Sequence, residues 1–320
     1  MSDTSRGIAG KGAASGETAV ARATAIGAAA MVFWGMMAGF ERLTTQVFGP
    51  QLGIAVIYLF AAPLAFLLRR PHEPSFYGWR YLLVSGALFA GTDILTGLAI
   101  GHAATSTQTV QVTIVNYLWP TLTVLGNLAF SRDAHANWLI VPGTLIATLG
   151  VATVVGGDAG LDLAAIAANV SSNPLPFLFA LGDALCWTAY SVVTPRISGG
   201  KDALAYMFVA TMVSGWVVWG LTSLAVGPQL PVAAVTPATF VLPVATALVL
   251  VLGYLCWNVG ILRGRPTTLS TLSYLTPVCS AVSSAIILGL SLAPTFWVGL
   301  AMVVAGSLIS FASTRRQKGV

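Results

Sequence analysis

The chain has 320 residues, of which 56% are hydrophobic and only 8% charged, with a mean hydropathy of +0.84. Soluble domains carry about a quarter charged residues, so a water-soluble enzyme or regulator is excluded and the composition is that of a membrane protein. The formal charge of +5 does not indicate a nucleic-acid partner, because the basic residues lie scattered in pairs between apolar stretches and are not gathered on one face.

Residues 1–22 are small and polar, with Gly7, Gly10, Gly12 and Gly16, and are expected to form a disordered cytoplasmic tail ahead of an uncleaved first span. A signal peptide's apolar region would be shorter than the one that follows. From residue 23, windows of about 17 to 25 apolar residues, each long enough to cross ~30 Å of hydrocarbon, run almost end to end. Ten are expected, at 23–47, 52–68, 81–101, 104–130, 137–156, 175–195, 203–226, 239–262, 266–289 and 295–313. Cys186, Cys256 and Cys279 all fall inside them, where a free thiol behaves as a small hydrophobe, so no disulfide framework is implied.

With the amino terminus in the cytoplasm and the spans alternating, fourteen of the fifteen Lys and Arg residues fall on the cytoplasmic side, and only Arg42 does not. A wrong span count would scramble this bias, so it supports ten spans with both ends inside.

Span one carries Phe33-Trp34, then Glu41-Arg42 in its outer half, and a Gly35/Gly39 pair. Span three carries Asp93, a Gly97/Gly101 pair and His102 at its outer end. Charged side chains at membrane depth cost roughly 2.5–3.5 kcal/mol on insertion scales and need a reason. Asp93 is expected to hold Arg42 or a substrate ammonium, and one of Asp93 and Asp183 to titrate during transport, with structural hydrogen bonding between helices as the alternative. His102 is read as a solvated loop residue. The glycine pairs are read as close packing within the chain.

Span four is the most informative. Asn116-Tyr117-Leu118-Trp119-Pro120 places a proline, an amide and two amphipathic rings inside a stretch with no charge between Gly101 and Arg132. Proline in a helix interior removes one backbone bond and displaces a carbonyl, which is tolerated at membrane depth only where protein or a wet cavity satisfies the freed group. Gln108, Gln111 and Thr113 precede Asn116 on the same span. Four polar side chains on one membrane helix are costly unless turned inward, so this span is expected to wall a pathway.

In the second half, Ser273-Tyr274-Leu275-Thr276-Pro277 of span nine matches that stretch five spans later. Threonine-rich runs at 104–109 and 266–271 precede the two. Cys186-Trp187 of span six, before Pro195-Arg196, echoes Phe33-Trp34 before Glu41-Arg42. Trp34 and Trp187 lie near the midplane at 1.5 Å per residue, whereas Trp79, Trp138 and Trp297 at span ends are ordinary interfacial belts. Span eight adds Tyr254, Trp257 and Asn258. The expected division is a first five-helix repeat at 23–156, an external linker at 157–174, a second repeat at 175–313 and a cytoplasmic tail at 314–320. Because five is odd, the repeats enter the membrane from opposite sides, an arrangement suited to alternating access around a site at mid-bilayer.

Ten spans in a five-plus-five array, with Tyr-Leu-x-Pro in spans four and nine, resemble the EamA branch of the drug/metabolite transporter superfamily, and Asn116 to Thr123 resemble more narrowly its aromatic amino acid exporters. The resemblance implies an inner-membrane secondary transporter that exports aromatic and other neutral amino acids. A second reading is export of drugs, purines or other small metabolites. One departure is plain: family members carry a glutamate after spans four and nine, where this chain has Phe130-Ser131-Arg132-Asp133 and Leu288-Gly289-Leu290-Ser291.

A zwitterion needs acceptors or ring faces for its ammonium, donors for its carboxylate and an aromatic slot. The expected substrate-binding set is Trp34, Asp93, Gln111, Asn116, Tyr117, Asp183, Trp187, Tyr254, Trp257, Asn258 and Tyr274, with Pro120 and Pro277 as hinges. A polyanion would want several inward cations, and only Arg42 is on offer. An intramembrane enzyme is disfavoured: His72-Glu73-Pro74-Ser75-Phe76 lacks the second histidine of a zinc helix, and Gly10-Lys11-Gly12 is no phosphate loop. Paired kinks in an inverted array favour a carrier over a channel. No metal, cofactor or nucleic acid is expected, and the chain is expected to work as a monomer.

Overall fold

A computed structural model of the chain describes residues 4–130, 137–228, 230–232, 234–264, 269 and 272–313. The described residues are helical throughout their ordered elements, because hydrocarbon offers no water to satisfy an open backbone. Helix α1 (Thr4–Phe48) begins inside the stretch expected to be a tail. It is followed by α2 (Pro50–Arg69), a single turn α3 (Pro74–Tyr77) and α4 (Trp79–His102). Helix α2 starts on Pro50, whose missing N–H would be unpaired there in any case. It stops at Arg70, in left-handed backbone at φ 44, with its N–H on the Phe66 carbonyl at 2.9 Å.

The window 104–130 is not one helix. Helix α5 (Ser106–Asn116) ends at a two-residue turn, Tyr117-Leu118, and α6 (Trp119–Phe130) starts afresh. The window 266–289 behaves alike: a 3₁₀ turn at Ser273–Leu275 leads into α12 (Thr276–Leu288). Pro120 and Pro277 were expected inside kinked helices. Each instead occupies the first turn of a new helix, where proline's fixed φ suits the geometry and its absent donor costs nothing. The threonine-rich run at 266–271 lies largely outside the described residues, as does Ser131-Arg132-Asp133 after span four. Leu288 is followed by Gly289 in left-handed backbone at φ 65, closing α12.

Between these, α7 (Ile140–Val155), α8 (Leu163–Ser172), α9 (Pro174–Ile197), α10 (Leu204–Val226) and α11 (Val241–Arg263) follow in order, and α13 (Pro294–Ser313) closes the described chain. Helix α8 lies in the stretch expected as a linker, its start capped by Asp162 accepting from Ala164 N at 2.8 Å and Ala165 N at 3.1 Å. Among the described residues seven helices are long and apolar enough to cross a membrane, and Ile140–Val155 and Ser273–Leu288 are shorter apolar segments.

Helix α1 packs on α11 and α12, α4 on α9, α9 on α5 and α6, α10 on α2 and α4, α11 on α2, and α7 on α13. One apolar cluster joins α2, α4, α10 and α11 around Ile57, Phe89, Met207 and Phe208, and a second joins α5, α7, α9 and α13 around Val110, Ile114, Val154 and Leu300. The glycine pairs sit at helix crossings within the chain: Gly35 and Gly39 face Cys279 and Ile287 of α12, while Gly97 and Gly101 face Ile54 and Pro50 of α2.

The tightest crossing is α7 on α13. A methyl on Gly299 would lie 2.7 Å from the Gly150 carbonyl oxygen, and one on Gly150 would lie 2.6 Å from the Gly299 oxygen. Small residues let backbones approach this closely, and dispersion then holds the helices together in the absence of a hydrophobic drive. Gly299→Val is therefore expected to lower stability by about 1–3 kcal/mol through overpacking, read as a fall in unfolding temperature in detergent. An unchanged temperature would mean that the two helices do not meet there.

Candidate functional site

The site begins with two acids on facing helices. Asp93 of α4 and Asp183 of α9 are both buried, and the packing of α4 on α9 turns them to one interior. Asn116 is the last residue of α5, so the break in span four places its amide at the centre of the bundle. Its Nδ2 donates to Asp183 Oδ2, and Thr96 Oγ1 of α4 donates to the same oxygen at 2.5 Å. Asp183 Oδ1 is buried and accepts no hydrogen bond among the described residues. Asp93 Oδ2 accepts from Thr211 Oγ1 of α10 at 3.4 Å, with Tyr58 of α2 beside it.

Two groups of rings flank these acids. Trp34 of α1 meets Tyr254 and Trp257 of α11, each with ring centroids 5.4 Å apart. Trp187 of α9 stacks on Tyr190 at 5.3 Å and meets Trp119 of α6 edge-on at 6.0 Å. Phe89 bridges the groups, 5.5 Å from Tyr190 and 5.3 Å from Tyr254. Between them lies a cavity of about 450 Å³, within the range of roughly 300–1,000 Å³ usual for small-molecule sites. Among the described residues, seven aromatic rings and three aspartates line it, with amides and hydroxyls between them, and no Lys, Arg or His does. At its far end Asp202 pairs with Arg69 of α2 and accepts from Asn258 Nδ2 at 3.2 Å.

Nine of the eleven residues singled out from sequence line this cavity: Trp34, Asp93, Asn116, Tyr117, Asp183, Trp187, Tyr254, Trp257 and Asn258. Two do not. Gln111 donates to the Val154 carbonyl at 3.2 Å and accepts from Asn169 Nδ2 at 3.2 Å. The last carbonyls of α7 have no partner within their own helix, and the amides of Gln111 and Asn169 supply one. Tyr274 is buried with its ring 5.5 Å from Phe311 of α13, and its neighbours Ser273 and Thr276 meet the cavity instead.

Arg42 is one of the two partners expected for Asp93, the other being a substrate ammonium. Arg42 donates instead to the Ile100 carbonyl at 3.1 Å, near the C-terminus of α4, where the helix dipole favours a cation. Glu41 is buried on another face of α1, against Gly97. His102 is not a solvated loop residue: it ends α4, its Nδ1 lies 2.9 Å from the Leu98 carbonyl, and its ring packs 5.7 Å from Phe179. Gln108 also leaves the pathway, accepting from Ala104 N at 2.7 Å and Asn173 Nδ2 at 2.9 Å.

Sequence reasoning missed Thr96, Trp119, Tyr190 and Asp202. Thr96 and Tyr190 stand three residues after Asp93 and Trp187, hence on the same helix face, so a search by helical spacing finds them. Asp202 sits in a loop, and no periodicity marks it.

Residues 175–312 match the EamA-like transporter family. Over 303 residues the chain is 40% identical to the aromatic amino acid exporter YddG of Salmonella typhimurium (strain 14028s / SGSC 2262), covering 92% of this chain and 99% of that protein. It is 38% identical over 296 residues to the aromatic amino acid exporter YddG of Escherichia coli (strain K12), covering 92% of this chain and 98% of that one. A solved crystal structure superposes with a TM-score of 0.64 at 20% sequence identity, covering 93% of this chain and 99% of the other, which is a likeness of fold.

The placement of Gln111 makes a prediction. Gln111→Leu strands buried carbonyls at the end of α7, at a cost of about 1–3 kcal/mol, so the unfolding temperature should fall. The order of preference among small molecules in a flux assay should stay that of the wild type, and a changed order would return Gln111 to the cavity wall.

Proposed function

The chain belongs to the EamA-like transporter family, and on that premise we propose that it exports aromatic and other neutral amino acids across the inner membrane by alternating access. It is a transporter and not an enzyme, as its exporter relatives are. The observation that carries the substrate reading is the cavity at the two helix breaks, where rings and a half-occupied carboxylate meet.

An aromatic amino acid brings three chemistries. Its ammonium finds Asp183 Oδ1, the acceptor that the protein leaves open, in a charge-assisted bond. Its ring finds the Trp and Tyr walls, where offset and edge contacts contribute about 0.5–1.5 kcal/mol each beyond burial. Its carboxylate finds no cation among the described residues of the lining. What faces it are neutral donors and the starts of α6 and α12, which reach the cavity at Trp119 and Thr276. A helix start carries about half a positive charge, and broken helices that aim their starts at a substrate carboxylate are a recurring transporter device.

For the conformational cycle, the reading is ten passes as two inverted five-helix units, with both termini cytoplasmic and a single chain sufficient. The packing pattern supports it. Shifting every span by five exchanges α1·α11 with α4·α9, α1·α12 with the contact of α9 on α5 and α6, and α4·α10 with α2·α11. The pairs α2·α10 and α7·α13 map onto themselves. Pro120 and Pro277 then hold equivalent breaks, serving as hinges at which either half bends.

Liposomes carrying the purified protein and loaded with labelled phenylalanine, tyrosine or tryptophan test the proposal. Saturable efflux is expected. Trp34→Ala and Trp187→Ala should each lower kcat/KM by roughly tenfold or more, the equivalent of one ring contact of about 1.4 kcal/mol. Unaltered flux and selectivity in both variants would remove the rings from the binding site.

A further inference from the structure

The charge of the cavity lining sets a preference that goes beyond amino acids. Three carboxylates line it, and among the described residues no cation does: Arg69 pairs with Asp202 at the far end, and Arg42 lies outside the lining with its Nη1 on the Ile100 carbonyl. Asp93 receives Thr211, while Asp183 has two donors on one oxygen and none on the other. Among the described residues of the lining, two buried side-chain oxygens lack a hydrogen-bond partner, Thr92 Oγ1 and Asp183 Oδ1, and only the second belongs to a carboxylate.

A zwitterion fits this arrangement only in part. Its ammonium takes Asp183 Oδ1, but its carboxylate enters a space that already holds Asp93 and Asp183, in an environment that screens charge poorly. Removing that carboxylate keeps the ammonium contact and the ring contacts and removes the repulsion. The rings of Trp34, Tyr254 and Trp257, mutually packed at 5.4 Å from Trp34, add cation-attracting faces. We propose that the same cavity also binds and carries cationic aromatic monoamines, the molecules left when an aromatic amino acid loses its carboxylate. This rests on the exporter reading above.

Three molecules sharing one ring separate the terms: phenylalanine, phenethylamine, which lacks the carboxylate, and 3-phenylpropionate, which lacks the ammonium. Each competes against labelled phenylalanine entering proteoliposomes at neutral pH. Phenethylamine should inhibit at concentrations within about tenfold of unlabelled phenylalanine, a gap of 1.4 kcal/mol or less, and 3-phenylpropionate should be weaker than either. Carriage is read separately on a solid-supported membrane, where the ammonium should drive a current that protein-free liposomes lack. Asp183→Asn should abolish the amine-driven current, and if that variant does not fold the wild-type series decides alone.

Phenylalanine flux that the amine leaves untouched, or that 3-phenylpropionate blocks better than the amine, overturns the inference while leaving the exporter reading in place. Inhibition without current makes the amine a blocker and overturns carriage. Absence of saturable phenylalanine flux takes down both readings together.

Discussion

A helix that breaks inside hydrocarbon exposes polar backbone to a solvent that cannot bond to it. The organisation of this protein follows from placing two such breaks where other polar groups wait. At Tyr117-Leu118 and at Ser273–Leu275 α-helical pairing gives way to tighter turns, with Tyr117 N on the Ile114 carbonyl and Leu118 N on the Val115 carbonyl at 3.1 Å and a 3₁₀ turn in the second segment, and around these points gather Asn116, Thr276, Asp183 and Thr96. A break facing lipid would be unaffordable. Facing one another across the bundle, the two define a polar centre, and the apolar clusters on either side isolate it.

The acids show how polar groups at such depth are stabilised without being neutralised by a protein cation. Asp183 is fully buried, yet its partners are an amide and a hydroxyl, not an arginine. Removing a charge from water costs several kcal/mol that neutral donors offset only in part, so the arrangement keeps a residual demand for positive charge. Arg42, the single basic residue expected on the outer side, goes instead to the end of α4, where the Ile100 carbonyl receives it. The separation of that cation from the aspartates is what leaves the cavity acidic.

Much of this was legible in the sequence because the bilayer imposes strict lengths and the similar motifs of the two halves point to the same kinds of residue. Window 52–68 corresponds to Pro50–Arg69 and window 295–313 to Pro294–Ser313, since apolar runs end where loops must begin. Trp34, Trp187 and Asn116 were found by depth and by pairing between halves. What stayed hidden depends on which way a side chain turns. Gln111 and Tyr274 share spans with cavity residues but lie on other faces, and single-sequence polarity does not distinguish a glutamine that caps α7 from one that meets a substrate. The prolines illustrate a different limit: their presence signals a break, but whether the helix bends or restarts is decided by neighbouring packing.

The crossing of α7 and α13 adds a mechanical corollary. Neither helix contributes a residue to the cavity lining, and at Gly150 and Gly299 their backbones touch with no side chain between. Two rods in such contact cannot slip lengthwise without first lifting apart, because each groove holds the other's ridge. In the two-unit cycle proposed above, this seam would serve as the axle, with swinging about it favoured over lengthwise sliding.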